Sequence, residues 1–212
     1  METSARAWIL FGSFNLMDAR FNQPMTATGW PNGLVAVEAP GRICIVTATR
    51  DAEVVITLEA LEEAPGDADS KWEAGAEVSM TTSGALEIFT GDALDQPIGL
   101  TGLPAGSVRV RVHALNRVPP TYTAAGEAVR PTEEFLLQVW PAPERPESVL
   151  RTDSFGRDFQ SASRHTQPMS TSRLSWPGAS PRGRRTPCAW RTGSCRRSRS
   201  HRAKRTARTG RR

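Results

Sequence analysis

Long apolar runs are missing from this 212-residue chain, and cysteine and histidine are scarce, with three of each. Its three cysteines, Cys44, Cys188 and Cys195, are odd in number and widely spread, which builds no disulfide framework and points to a reducing compartment. No segment approaches the ~18 consecutive apolar residues of a membrane span. The one apolar run near the start, Trp8 to Phe11, is broken by Gly12, Ser13 and Asn15, too soon for a secretory segment. A cytoplasmic protein without membrane contact is the expectation. Phosphate-loop, dinucleotide-binding, zincin and nucleophile-elbow motifs are also missing, and with them the mechanics those chemistries need. Acidic residues are absent from the last 52 positions altogether.

That last absence reorders the charge. The formal net charge of +5 averages two opposite halves. Residues 1–160 carry 12 Lys and Arg against 22 Asp and Glu, a net −10, whereas 161–212 carry 15 basic residues and no acid. The chain is an acidic body joined to a basic tail.

The body reads as short strands separated by turns. Around the Ala39-Pro40-Gly41 turn lie an apolar run from Leu34 and a second from Ile43 to Val46. Val54, Ile56 and Leu58 alternate with polar or exposed-type neighbours, a period of two that places one face on a core. Residues 62–70 form a polar loop, and EVSMTTSGALEIF reads as strand, Ser83-Gly84 turn, strand. In SVRVRVHAL, Val108, Val110 and Val112 face one way, and Arg109, Arg111 and His113 the other. In EEFLLQVW, Phe135, Leu137 and Val139 share a face, with Leu136 and Trp140 opposite, which predicts burial on both sides. The proline-rich stretch 140–149 reads as the exit from the ladder. With no long helical pattern over 34–140, the fold class is all-β: an antiparallel β-sandwich or partly open barrel over residues 1–160, followed by a disordered tail over 161–212.

The stretches AGSVRVRVHALNR and RPTEEFLLQVWPAP, with GLVAV near residue 34 and VLRTDSFG near residue 149, carry a resemblance. Over about residues 30–157 the chain resembles an uncharacterised bacterial β-sandwich family of high-GC genomes, in which a strand YRVRVHARGRD precedes EPTEEYLIQVWPAP. Val108 and Phe135 stand where that family has tyrosines, each losing a hydroxyl. The resemblance implies a sandwich similar in fold to the competence-associated nuclease inhibitors, and it implies no catalytic residue.

Candidate sites are sparse. His113 is the only histidine of the body, so a base or metal ligand there lacks a second histidine, and a solvated or cross-strand role is the expectation. Glu133 and Glu134 could pair with Arg109 and Arg111 if their strands are neighbours, an ordinary cross-strand arrangement. The acidic residues Glu62, Glu63, Asp67 and Asp69 match a calcium loop only in fragments and read as a solvated loop that could attract a basic protein. Cys188, Cys195, His201 and His165 lack the close cysteine pair of structural zinc. No catalytic residue, cofactor or metal is assigned.

In the tail, Arg182, Arg184, Arg185, Arg196, Arg197, Arg199, Arg202 and Arg205 are candidate phosphate contacts, with Trp176 and Trp190 available to stack on bases. Its inventory argues against a recognition arm. It holds 14 arginines and one lysine, and it lacks Asp, Glu, Val, Ile, Phe, Tyr and Asn while keeping two Trp and two Cys. GC-rich DNA read out of frame encodes this mixture, and a lost frame is the preferred expectation. The native C-terminal strands would then be missing and a sandwich edge left open. The expected function is a non-catalytic acidic interaction module with a basic protein partner; the alternative is non-specific nucleic-acid binding through the tail.

Overall fold

The computed structural model describes residues 1–18, 20, 30–91, 98–118, 121–125 and 128–165. Its elements are β1 (Glu2–Ile9), β2 (Ser13–Met17), β3 (Val35–Ala39), β4 (Arg42–Val46), β5 (Ala52–Ala60), β6 (Ala74–Thr82) and β7 (Ala85–Phe89). There follow β8 (Gly99–Thr101), β9 (Gly106–Leu115), β10 (Thr121–Tyr122), β11 (Ala128–Val129), β12 (Glu133–Pro141), β13 (Ser148–Arg151) and α1 (Ser154–His165). A six-stranded sheet, in the order β1-β5-β12-β9-β6-β13, faces a five-stranded sheet, β3-β4-β2-β7-β8. The fold is therefore an all-β sandwich and not a closed barrel; β10 and β11 form a small separate ladder.

The period-two pattern places the core as the sequence predicts. Val54, Ile56 and Leu58 of β5, Val108, Val110 and Val112 of β9, and Phe135, Leu137 and Val139 of β12 are all buried. They meet Phe14, Leu16, Ile43 and Ile45 from the opposite sheet. Each such side chain removed from water contributes ~1.5–3 kcal/mol, and the two inner faces interlock. Phe14 and Phe135 pack edge to face across the layers, with ring centroids 5.1 Å apart.

Three expectations need correction. Residues 2–17 form two strands, where the sequence shows only a broken apolar run. The pairing is not wholly antiparallel, because β12 enters parallel to β5. The ladder also does not finish at the proline-rich stretch: after residues 142–147 the chain rejoins the six-stranded sheet as β13, beside β6, and continues into α1. The Ser83-Gly84 turn is real, yet it joins the two sheets and does not close a hairpin within one. Asp18, at the end of β2, secures that crossing by accepting hydrogen bonds from the Ser83 amide and hydroxyl and from the Thr82 hydroxyl. Burial pushes the Asp18 pKa up, but these bonds and one from the Arg20 amide outweigh it and hold the carboxyl below its ordinary value.

One end of the sandwich is closed by a single arginine. Arg117, fully buried, directs Nε and Nη2 at the two carboxylate oxygens of Asp153, each at 2.8 Å. Its Nη1 donates to the carbonyls of Gly33 (2.9 Å) and Val46 (3.2 Å). Asp153 also caps α1 by accepting the Gly156 amide at 2.6 Å. Segments distant in sequence thus supply parts of this clasp or its cover: Arg117 follows β9, Gly33 precedes β3, and Asp153 and Gly156 lie at the start of α1, while Glu133 of β12 accepts the Ala48 amide nearby. The approach is close enough to require glycine. A Cβ on Gly33 would lie 2.3 Å from the Gly156 carbonyl oxygen, and Gly33 has φ +66°.

Replacing Gly33 by alanine combines left-handed strain with a backbone collision. Gly33→Ala is expected to cost ~2 kcal/mol or more in urea unfolding. Arg117→Ala, which leaves the Asp153 carboxylate buried and unpaired, should cost ~3–5 kcal/mol in the same measurement.

Candidate acidic docking surface

The outer side of β9 is not solvated. Arg109, Arg111 and His113 are 4%, 9% and 2% exposed, respectively. Buried cations need acceptors, and β6 supplies one in Glu77, which stands opposite Arg111 in the ladder. Glu77 Oε1 accepts from Arg111 Nε at 2.8 Å and pairs with Nη2 at 2.7 Å, while its Oε2 lies 3.4 Å from Arg109 Nε. The pairing expected with Glu133 and Glu134 does not occur. β9 and β12 are neighbours, but their register sets Gln138 against Arg111 and Trp140 against Arg109. Glu133 points elsewhere and is buried; burial pushes its pKa above the ordinary value, opposed by hydrogen bonds from Thr49 and Ala48 and by the charge of Arg117.

Besides the Ser79 hydroxyl, which accepts from Arg109 Nη1 at 3.1 Å, the acceptors on this face are main-chain carbonyls of two covering segments. Arg111 Nη1 donates to Gly66 O at 2.6 Å, and Arg109 Nη1 to Arg145 O at 2.9 Å. Arg151 of β13 donates to Ser70 O at 2.9 Å and also to Trp72 O. Trp72 stacks on the His113 imidazole, with centroids 5.5 Å apart and planes inclined by 21°. The Glu73 amide donates to Ala114 O, tying the loop's end to β9. The 61–73 loop is therefore fastened along its length by its backbone, and its carboxylates are left outside. Glu62, Glu63, Asp67, Asp69 and Glu73 are exposed, as are Glu144 and Glu147 on the second covering segment. A groove of about 350 Å³, lined in part by Val37, Pro40, Met80 and Glu144, opens beside that segment.

The sequence predicts an acidic, solvated loop. Its side chains are solvated, but its backbone is held. Asp69 Oδ1 accepts the Lys71 amide at 3.0 Å, an Asx-type turn within the loop. Among the described residues no group of three or more His, Cys, Asp or Glu is arranged to hold a metal ion. Nor does any helix among them have the length and apolarity to cross a membrane. The eight tail arginines proposed as phosphate contacts, with Cys188, Cys195 and His201, lie outside the described residues.

His113 is the clearest correction. A base must reach its substrate, and this imidazole is sealed beneath Trp72. Sequence reasoning misses the seal because alternation of Val with Arg and His does not distinguish water from a counter-charged cover. A tryptophan inside an otherwise charged loop is the available signal, since such a ring seeks an apolar or stacking surface.

Comparisons with known proteins add likeness without identity. No family model matches the sequence, and no curated protein does. Among solved structures, the chain is similar to ComJ, the inhibitor of the DNA-degrading activity of NucA from Bacillus subtilis. The TM-score is 0.46 at 11% identity, over 66% of this chain and 96% of ComJ. It is also similar to the product of crocagin biosynthetic gene J, with a TM-score of 0.42 at 15% identity, over 68% and 99% of the two chains. Likeness this distant carries no argument about partner or activity.

The buried imidazole sets a pH dependence. Burial, followed by the charge of Arg111, lowers the His113 pKa from 6.5 to about 4, against smaller opposing contributions from Gln138 and Glu77. Between those values the unfolded state binds the extra proton, so the His113 contribution to stability falls as pH drops from 6.5 toward 4. That loss should be on the order of 3 kcal/mol. Glu133, with its raised pKa, contributes a slope of opposite sign, so the difference between the parent and His113→Gln isolates the histidine. Unfolding curves of both proteins at pH 7 and pH 4.5 measure it, with the smaller pH response expected in the variant.

Proposed function

We propose that this chain is a non-catalytic interaction module that docks a basic protein on the acidic surface formed by the 61–73 loop and the 142–147 segment. The observation that carries the reading is the combination of exposed carboxylates with an anchored backbone: Glu62, Glu63 and Asp67 project from a loop held by Arg111, Arg151 and the Trp72–His113 stack. A loop already ordered loses little entropy when a partner binds. Carboxylates of one sign raise the encounter rate with a cationic partner and select its orientation. The adjoining groove has a mixed lining, with Val37, Pro40 and Met80 beside Ser79, Thr81 and Glu144, which suits a Lys or Arg side chain that lays its stem on Met80 and Pro40 and brings its charge to Glu144.

The test is binding of a Lys- and Arg-rich protein or peptide by the full chain and by a Glu62→Lys/Glu63→Lys/Asp67→Lys variant. These side chains are exposed, so the melting temperature should move by no more than ~2 °C. Affinity should fall at least ~10-fold, and the dependence of affinity on salt should flatten. Undiminished binding by the variant would remove the proposal. A second reading rests on the 15 basic residues and absent acids of 161–212. It requires DNA affinity to fall, and its salt slope to shrink, when Arg196, Arg197, Arg199 and Arg202 become glutamine; an unchanged slope excludes it.

A further inference from the structure

The geometry points to β1 as the docking edge for a second copy of this chain, the two β1 strands pairing antiparallel about a two-fold axis through Ser4. β1 is a terminal strand of the six-stranded sheet and pairs with β5 in unbroken register from Glu2↔Glu59 to Ile9↔Ala52. The phase of its hydrogen bonding is set at the start: the Met1 amine donates to Ala60 O at 3.0 Å, and the Ala60 amide donates to Met1 O at 2.8 Å. Alternation then directs the backbone groups of Thr3, Ala5, Ala7 and Ile9 at β5, and those of Glu2, Ser4, Arg6 and Trp8 away from the sheet. None of these outward groups has a backbone partner among the described residues.

The other sheet edges are protected against such pairing in recognisable ways. β13 has four residues and a register shift between Val149 and Arg151. β3 has a register shift between Val37 and Ala39 and runs into Pro40. β8 has three residues. β1 has eight, with neither proline nor glycine nor a shift in register. A long flat edge without these devices is a template for another strand.

The charges select which strand. Glu2 and Arg6 sit two residues either side of Ser4, on the same face as Ser4. Pairing two copies about Ser4 sets Glu2 of each against Arg6 of the other and Ser4 against Ser4, and each of these is a pair that exchanges backbone bonds, about six in all. Arg6, already held by Glu53 of its own chain at 2.6 Å, then lies between two carboxylates. A pairing centred on Arg6 would instead oppose two arginines. The intervening residues, Thr3, Ala5 and Ala7, are small enough to leave the approach open. Trp8, 53% exposed on the outer face, continues past the paired stretch and can cover the start of the partner strand.

An edge-strand interface of this length is small, and self-association in the ~10–100 µM range is expected. Sedimentation equilibrium of the full chain from low to several hundred micromolar reads it. Ser4→Pro removes one outward N–H and no backbone bond to β5, and of the contacts with β5 it loses only the exposed Ser4–Thr57 hydroxyl pair (2.9 Å), which a Ser4→Ala control removes alone. Ser4→Pro should therefore lower the association constant at least ~10-fold relative to Ser4→Ala while circular dichroism and melting remain native-like. Glu2→Arg alone and Arg6→Glu alone should each weaken association, and the double swap should restore it. A chain that stays monomeric throughout that range overturns the proposal. So does a dimer that persists unchanged in Ser4→Pro and in both single charge reversals.

Discussion

Two arginines and a histidine on the outer face of β9 constrain the architecture more than any other group. Arg109, Arg111 and His113 occupy positions that an ordinary antiparallel sandwich gives to water, yet all three are buried. An arginine out of water must have its donors matched, because an uncompensated buried charge costs several kcal/mol. Glu77 and the Ser79 hydroxyl meet part of that demand, and the rest falls on the carbonyls of Gly66 and Arg145. The connections that provide them cannot then behave as slack linkers. The need to neutralise one strand fixes the path of two loops, and the loops' own charges are turned outward as a result. The sandwich acquires a partial third layer on that side. The acidic surface is, in this sense, the reverse face of a buried basic strand.

The Arg117–Asp153 clasp follows a related logic with a different outcome. Arg117 and Asp153 are matched bidentately, and the remaining Arg117 donor meets main-chain oxygens of Gly33 and Val46. Full satisfaction makes the pair a specifier of geometry: α1 can dock in one position only, with Gly156 against Gly33. Phe155 lies beneath the guanidinium, and Phe159 stacks on Phe155 and meets Trp30 edge to face, so the helix is seated by aromatic contacts as well.

Much of the sandwich is legible in the sequence, and particular residues show why the remainder is not. Valines 108, 110 and 112 and the series Val54, Ile56, Leu58 announce strands, because an extended chain turns every second side chain to the same face. The same rule is silent about what covers a strand's second face, so it leaves His113 in water. It is equally silent about register: Glu134 and Arg111 lie on adjacent strands, but the ladder pairs Glu134 with Leu115. Local turn chemistry locates Ser83-Gly84 without revealing that the chain changes sheets there, a choice made by the Asp18 carboxylate 65 residues away. The acidic loop is visible as charge, while its anchoring depends on Arg151, which comes 81 residues after Ser70. Non-local partners of this kind leave no periodic trace. Gly33 and Asp153 lie 120 residues apart in sequence, yet both bind Arg117 in the clasp.

The position of β12 has a consequence for how the chain comes into being. β5 and β9 are complete by residue 115, yet each keeps one ladder edge vacant until Glu133–Pro141 inserts between them, parallel to the first and antiparallel to the second. During synthesis from the N-terminus, β1 with β5 and β6 with β9 are made before the strand that joins them, and the ladder edges that β12 fills stay open until it arrives. Closure is a single late event that joins residues about 80 apart in sequence, so loop entropy places it at the slow end of folding. Until then the nascent chain presents two adhesive edges of its own, a window in which a chaperone or a neighbouring chain competes with β12 for the same slot.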